Sequence, residues 1–150
     1  MDNEERGRGT HHGSRITLWW LAVVVVAAWL LWMTLRPQEQ ASADLTPLTV
    51  PAAAQGISIP FLIDFLGNIV VFIPLGAAAA FALAHKPRGT RLLAATAVGA
   101  GLSAAIELLQ LAIPSRVSGF DDWLLNTAGT FIGAAIASIL INRRKRSANC

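Results

Sequence analysis

Cysteine, tyrosine, histidine and charge are all scarce in this chain, and each scarcity removes a class of function. The single cysteine, Cys150, allows no disulfide framework and no CxxC metal or redox motif within one chain. The three histidines are His11, His12 and His85, and none of them neighbours the polar residues singled out below. Charged residues make up only 14% of the 150 positions, against 54% hydrophobic. A soluble domain of this size has too little interior to hide so much apolar side chain. The composition therefore reads as an integral membrane protein. The net charge of +3 is not a nucleic-acid footprint, because the basic residues sit between apolar runs, where they act as topology determinants.

Four apolar runs are present. Residues 17–35 form 19 uncharged positions, about 28 Å as a helix and close to the hydrocarbon thickness. Trp19 and Trp20 lie toward one end, Trp29 and Trp32 toward the other, as in an aromatic belt. Ala41-Ser42-Ala43 resembles a signal-peptide cleavage site, but the apolar stretch is long for a signal peptide, so a retained anchor is favoured. The second run, residues 65–84, contains Asn68 and Pro74. A kink at Pro74 is expected rather than a break, since neighbouring helices can re-satisfy the freed carbonyl. The third run, residues 92–113, contains Glu107 and Gln110 and ends at Pro114. The fourth, residues 123–141, contains Asn126 and ends at Asn142 and a basic tetrad. None shows the period-two alternation of barrel strands.

The expected fold is all-α, a bundle of four transmembrane helices with both termini cytoplasmic. Its divisions are a disordered cytoplasmic tail (1–15), a first transmembrane helix (16–35), an extracytoplasmic Pro-rich loop (36–60), a three-helix region (61–142) and a basic cytoplasmic tail (143–150). The orientation follows from lysine and arginine. Arg6, Arg8, Arg15, Lys86, Arg88, Arg91 and the residues Arg143, Arg144, Lys145 and Arg146 fall on one side of a four-span chain; Arg36 and Arg116 fall on the other.

Depth then sorts the polar residues. Glu107 lies 15 residues from Leu92, about 22 Å into a core of roughly 30 Å, hence in the outer half. Gln110 is one turn further out. The neighbouring helices run the opposite way, with Asp64 and Asn68 at the outer end of one and Asp122 and Asn126 at the outer end of the other. Each pair is spaced to share a helix face. Arg116 sits in the short loop above them, a natural partner for Glu107. Asp121 reads as a solvated loop carboxylate or an N-cap. Gly129 and Gly133 form a GxxxG on the Asn126 face, which reads as packing between helices of one chain ahead of dimerisation.

These residues resemble a known family. Asp64-Phe-Leu-Gly-Asn68, followed by Phe72, Pro74 and Gly76, is similar to a signature of VanZ-like membrane proteins. So is the series Ser103, Glu107, Gln110, Arg116, Asp122, Asn126, Gly129 and Gly133. The resemblance covers about half the chain, residues 61–138. It implies a multi-pass protein of the bacterial plasma membrane acting at the cell envelope. The named member of that family is associated with low-level resistance to the glycopeptide teicoplanin, which implies a context rather than a reaction.

Three kinds of function stay open at the cluster. The first is recognition of a lipid-linked envelope precursor or glycopeptide-type ligand by Asp64, Asn68, Glu107, Gln110, Arg116, Asp122 and Asn126, with Arg116 holding a phosphate or carboxylate through its planar fork. The second is an enzyme using Glu107 with Asp122 or Asp64 as general acid and base. The third is a structural assembly factor, with Gly76, Gly129 and Gly133 at helix contacts. No histidine lies on the outer side, which excludes a Ser-His triad or a His-bound zinc. No cofactor, resident metal or nucleic-acid partner is expected; the lipid bilayer is. A transport route is poorly supported, because the only polar groups expected in the inner half are uncharged hydroxyls. Oligomeric state has no signal in the sequence.

Overall fold

The computed structural model describes residues 3–34, 59–111 and 120–147. They form four helices and no strand: α1 (Asn3–Thr34), α2 (Ile59–Ala82), α3 (Arg88–Gln110) and α4 (Phe120–Ser147). All four are long and apolar enough to cross a membrane. The Pro-rich loop, the loop carrying Arg116, and Cys150 lie outside the described residues.

Two helices extend past the apolar runs. The helix α1 begins at Asn3, ahead of the first apolar run. The apolar segment behind this stretch supplies the nucleus from which the helix extends. At the other end, α4 continues to Ser147, through the basic segment expected to lie beyond the bundle. Arginine and lysine are good helix formers, and cations in the last turn oppose the negative end of the dipole. The helix α2 continues uninterrupted through Pro74, which is exposed on its surface.

The helix α2 packs against all three others, most extensively along α4. The helix α4 packs also against α3, while α1 leans on α2 and barely touches α3. Small residues allow the close approach. A Cβ at Gly129 would overlap the Ile69 carbonyl, and one at Gly133 the Ile73 carbonyl. Seen from α2, a Cβ at Gly76 would overlap the Thr130 carbonyl, and from α3 one at Gly99 would overlap the Thr130 side chain. Thr130 is therefore clamped between two glycines on different helices. With Gly129 and Gly133 both pressed onto α2, the GxxxG is used within the chain.

The same contacts set the register. Ser138 meets Arg91 and Asn126 meets Ser103, so α3 and α4 are antiparallel. Asn68 meets Asp122 and Gly76 meets Thr130, so α2 and α4 are parallel. The apolar core joins Val23 and Leu30 of α1 to Phe72, Leu75 and Ala78–Ala80 of α2, with Ala95, Ile106, Ala134 and Ala137.

Candidate functional site: a polar level across three helices

The first two turns of α4 organise the site. Asp121 and Asp122 both lie in its first turn, where a carboxylate is favoured by the exposed N–H groups. Asp121 is exposed, whereas Asp122 is half-buried and turned toward α2. There Asn68 Nδ2 donates to Asp122 Oδ1 at 2.7 Å. One turn deeper, Asn126 is 5% exposed, and its Nδ2 donates to Ser103 Oγ on α3 at 2.9 Å. Trp123 Nε1 donates to the Ala100 carbonyl at 3.0 Å, holding α3 from the side, and its ring stacks on Phe120. Asn68, Asp122, Asn126 and Ser103 thus tie α2, α4 and α3 together at one level.

The remaining members sit beside this tie. Gln110 is buried, and Glu107 is half-buried with its Oε2 atom shielded from solvent. The register that pairs position 103 with 126 brings Glu107 level with Asp122. Asn126 Oδ1 is buried and has no hydrogen-bond partner among the described residues. A buried orphan acceptor costs roughly 1–3 kcal/mol, so its presence calls for a donor. Asp64 lies on the second turn of α2, but its side chain is outside the described residues, as is Arg116. Among the described residues, no three His, Cys, Asp or Glu side chains gather as metal ligands would.

Below this level the bundle closes. Thr130 Oγ1 turns back to the Asn126 carbonyl at 2.9 Å, and the Thr130 side chain fills the space over Gly99. Ala95 and Ala134 follow, each completely buried. The hydroxyl of Thr96, also buried, has no partner among the described residues.

A second polar group then appears that the sequence reading missed. Arg91 was counted among the charges outside the membrane, and the inner half was expected to hold only uncharged hydroxyls. Instead Arg91 is 1% exposed. Its Nε donates to Ser138 Oγ at 3.0 Å and its Nη2 to Asn142 Oδ1 at 3.1 Å. The signal was a spacing of four: Arg91, Ala95, Gly99 and Ser103 form one stripe of α3, facing Asn126, Thr130, Ala134, Ser138 and Asn142 on α4. Arg91 lies 12 residues from Ser103, about 18 Å along the helix. The two polar groups are therefore separate, with a packed apolar layer between them.

A family model described as VanZ/LLP1 matches residues 19–141. The match takes in the apolar part of α1 as well as α2, α3 and most of α4. No curated protein and no solved structure matches the chain.

Proposed function

Since the chain belongs to the VanZ/LLP1 family, we propose that it is a bacterial plasma-membrane protein that recognises a lipid-linked or glycopeptide-type ligand at the polar level between α2, α3 and α4. The observation that carries this reading is the buried Asn126 Oδ1 atom, an acceptor with no donor among the described residues, set beside Ser103 and one turn from Asp122. Such an atom is satisfied by an O–H or N–H brought in by a ligand, and sugars and peptides of envelope precursors carry both. Gln110 and Glu107 lie at the same level, and Arg116 falls in the short stretch of sequence between α3 and α4. There a guanidinium would meet a phosphate or carboxylate. The distribution of lysine and arginine supports cytoplasmic termini and puts this level near the outer face. A closed layer beneath it suits a site loaded from one side.

A substitution series tests the reading. Glu107→Gln, Gln110→Ala, Arg116→Ala, Asp122→Asn and Asn126→Leu are scored for susceptibility to teicoplanin and other envelope antibiotics, with membrane abundance measured in parallel. Loss of the phenotype at normal abundance is the expected result. Wild-type behaviour of Arg116→Ala and Asn126→Leu together would end the proposal. A second reading, an intramembrane enzyme, is favoured by one observation, that Glu107 is level with Asp122. Two carboxyl groups in one partly buried site can divide into an acid and a base. Turnover of a lipid-linked envelope precursor by the purified protein, abolished in Glu107→Gln, separates this reading from binding alone.

A further inference from the structure

The basic end of the bundle holds a cavity that the polar level does not explain. Because α1 leans on α2 and makes no close approach to α4, a gap opens between α1 and α4 over the end of α2. The gap has a volume of about 200 Å³. Ile16, Trp19, Phe81 and Ile141 form its walls, and Arg144 and Lys145 stand with them. Among the described residues, no carboxylate lines it. The Trp19 and Phe81 rings are stacked, with centroids 4.4 Å apart, and give it a flat apolar wall. Lys145 is held in place, its Nζ donating to the Ala84 carbonyl just beyond α2 at 3.1 Å. Arg144 is exposed.

An apolar wall under two cations is the pattern of an amphiphilic anion. We propose that this cavity binds one anionic phospholipid. Its phosphate sits between Arg144 and Lys145, and its glycerol backbone lies against Trp19 and Phe81. The volume accommodates a headgroup and not the acyl chains. A surface for those chains lies beside the cavity face of α1, where Trp20 and Val24 are exposed apolar residues. Basic pockets between transmembrane helices have the chemistry for such headgroups, each cation adding to the attraction. Recruitment here would also fasten α1 to α4, whose backbones make no close approach among the described residues.

Native mass spectrometry of the full chain in detergent tests the site, with phosphatidylglycerol and phosphatidylcholine added at equal concentration. Expected is retention of a single phosphatidylglycerol and little phosphatidylcholine. R144Q/K145Q should weaken that retention roughly thirtyfold, as for the loss of two basic residues near an anionic surface. R143Q/R146Q removes the same charge from outside the cavity and should change it by only a few-fold. Equal loss in the two double variants would show diffuse attraction and overturn the proposal. So would equal retention of the two lipids, or displacement of the lipid by equimolar inorganic phosphate. A readout on the unsubstituted protein guards against a misfolded variant: its unfolding midpoint should rise with phosphatidylglycerol and stay level with phosphatidylcholine, and the reverse order counts against the site.

Discussion

Gly133→Ala and Gly101→Ala are the same chemical change on two helices, and the structure predicts different stabilities for them. A Cβ at Gly133 lands on the Ile73 carbonyl and against the Ala77 nitrogen. Both obstacles are main chain, so no rotamer change relieves the overlap, and α2 must move away from α4. Overpacking of this kind costs about 1–3 kcal/mol. The shift would also loosen Gly129 on Ile69 and Thr130 on Gly76, which lie along the same contact. A Cβ at Gly101 meets nothing within 4 Å. There the helix gains the difference in propensity, about 1 kcal/mol. Gly133→Ala gains the same propensity, so the two variants should lie about 1–3 kcal/mol apart, with Gly101→Ala above the parent and Gly133→Ala at or below it. Purified protein in mixed micelles, unfolded by increasing SDS and followed by circular dichroism, measures this. Gly99→Ala supplies an internal check, because the nearest obstacles are Oγ1 and Cγ2 of Thr130. Thr130→Ala removes both and should recover part of the loss. If Gly133→Ala proved as stable as Gly101→Ala, the close contact of α2 with α4 would be wrong, and the register built on it would go too.

Three other outcomes follow from the hydrogen bonds. Arg91→Ala should lower stability by about 2–4 kcal/mol, since it removes two bonds from a charged donor and leaves the buried Ser138 hydroxyl unsatisfied; in Arg91→Met/Ser138→Ala most of this should return, and a purely additive double variant would contradict the pairing. A cycle of Asn126→Ala and Ser103→Ala should show a coupling of about 0.5–1.5 kcal/mol in the same SDS titration, and zero coupling would refute the bond. Asn68→Ala should weaken the hold of α2 on the first turn of α4, seen as faster cleavage near Phe120 by protease added to the outer side of vesicles; Gly67→Ala, whose Cβ meets nothing, should leave cleavage unchanged.

The parts of this fold that were legible in the sequence are those written in helical spacing. The pairs Asp64/Asn68, Glu107/Gln110 and Asp122/Asn126 each declare a face, and depth counting puts them at one level. Asn68 with Asp122 and Asn126 with Ser103 do meet there. Helix ends were less legible, because composition says little of geometry there. The polar residues before Ile16 and the basic ones after Asn142 carry no apolar stripe, which says that water surrounds them and nothing about whether the backbone is helical. Arg91 failed for a related reason. A cation at the end of a span is ordinarily a marker of topology, and its burial depends on which way it faces. That direction is fixed only once Pro87 starts α3 and the 91–95–99–103 stripe is laid against α4. Partner choice was the least legible part, because identical hydropathy lets any two of the four helices pack.

The partners that α4 supplies to α3 have a consequence for how the protein enters the bilayer. Among the described helices, α4 is synthesised after α3. Until it arrives, α3 would stand in lipid with the Arg91 guanidinium and the Ser103 hydroxyl unmatched, since their partners Ser138, Asn142 and Asn126 are all on α4. Groups of that kind are expensive to leave in hydrocarbon. Only nine residues separate Gln110 from Phe120, too few to keep the two helices far apart. The third and fourth spans are thus expected to leave the translocon as one hairpin, and a nascent chain arrested before Asn126 should insert its third span poorly.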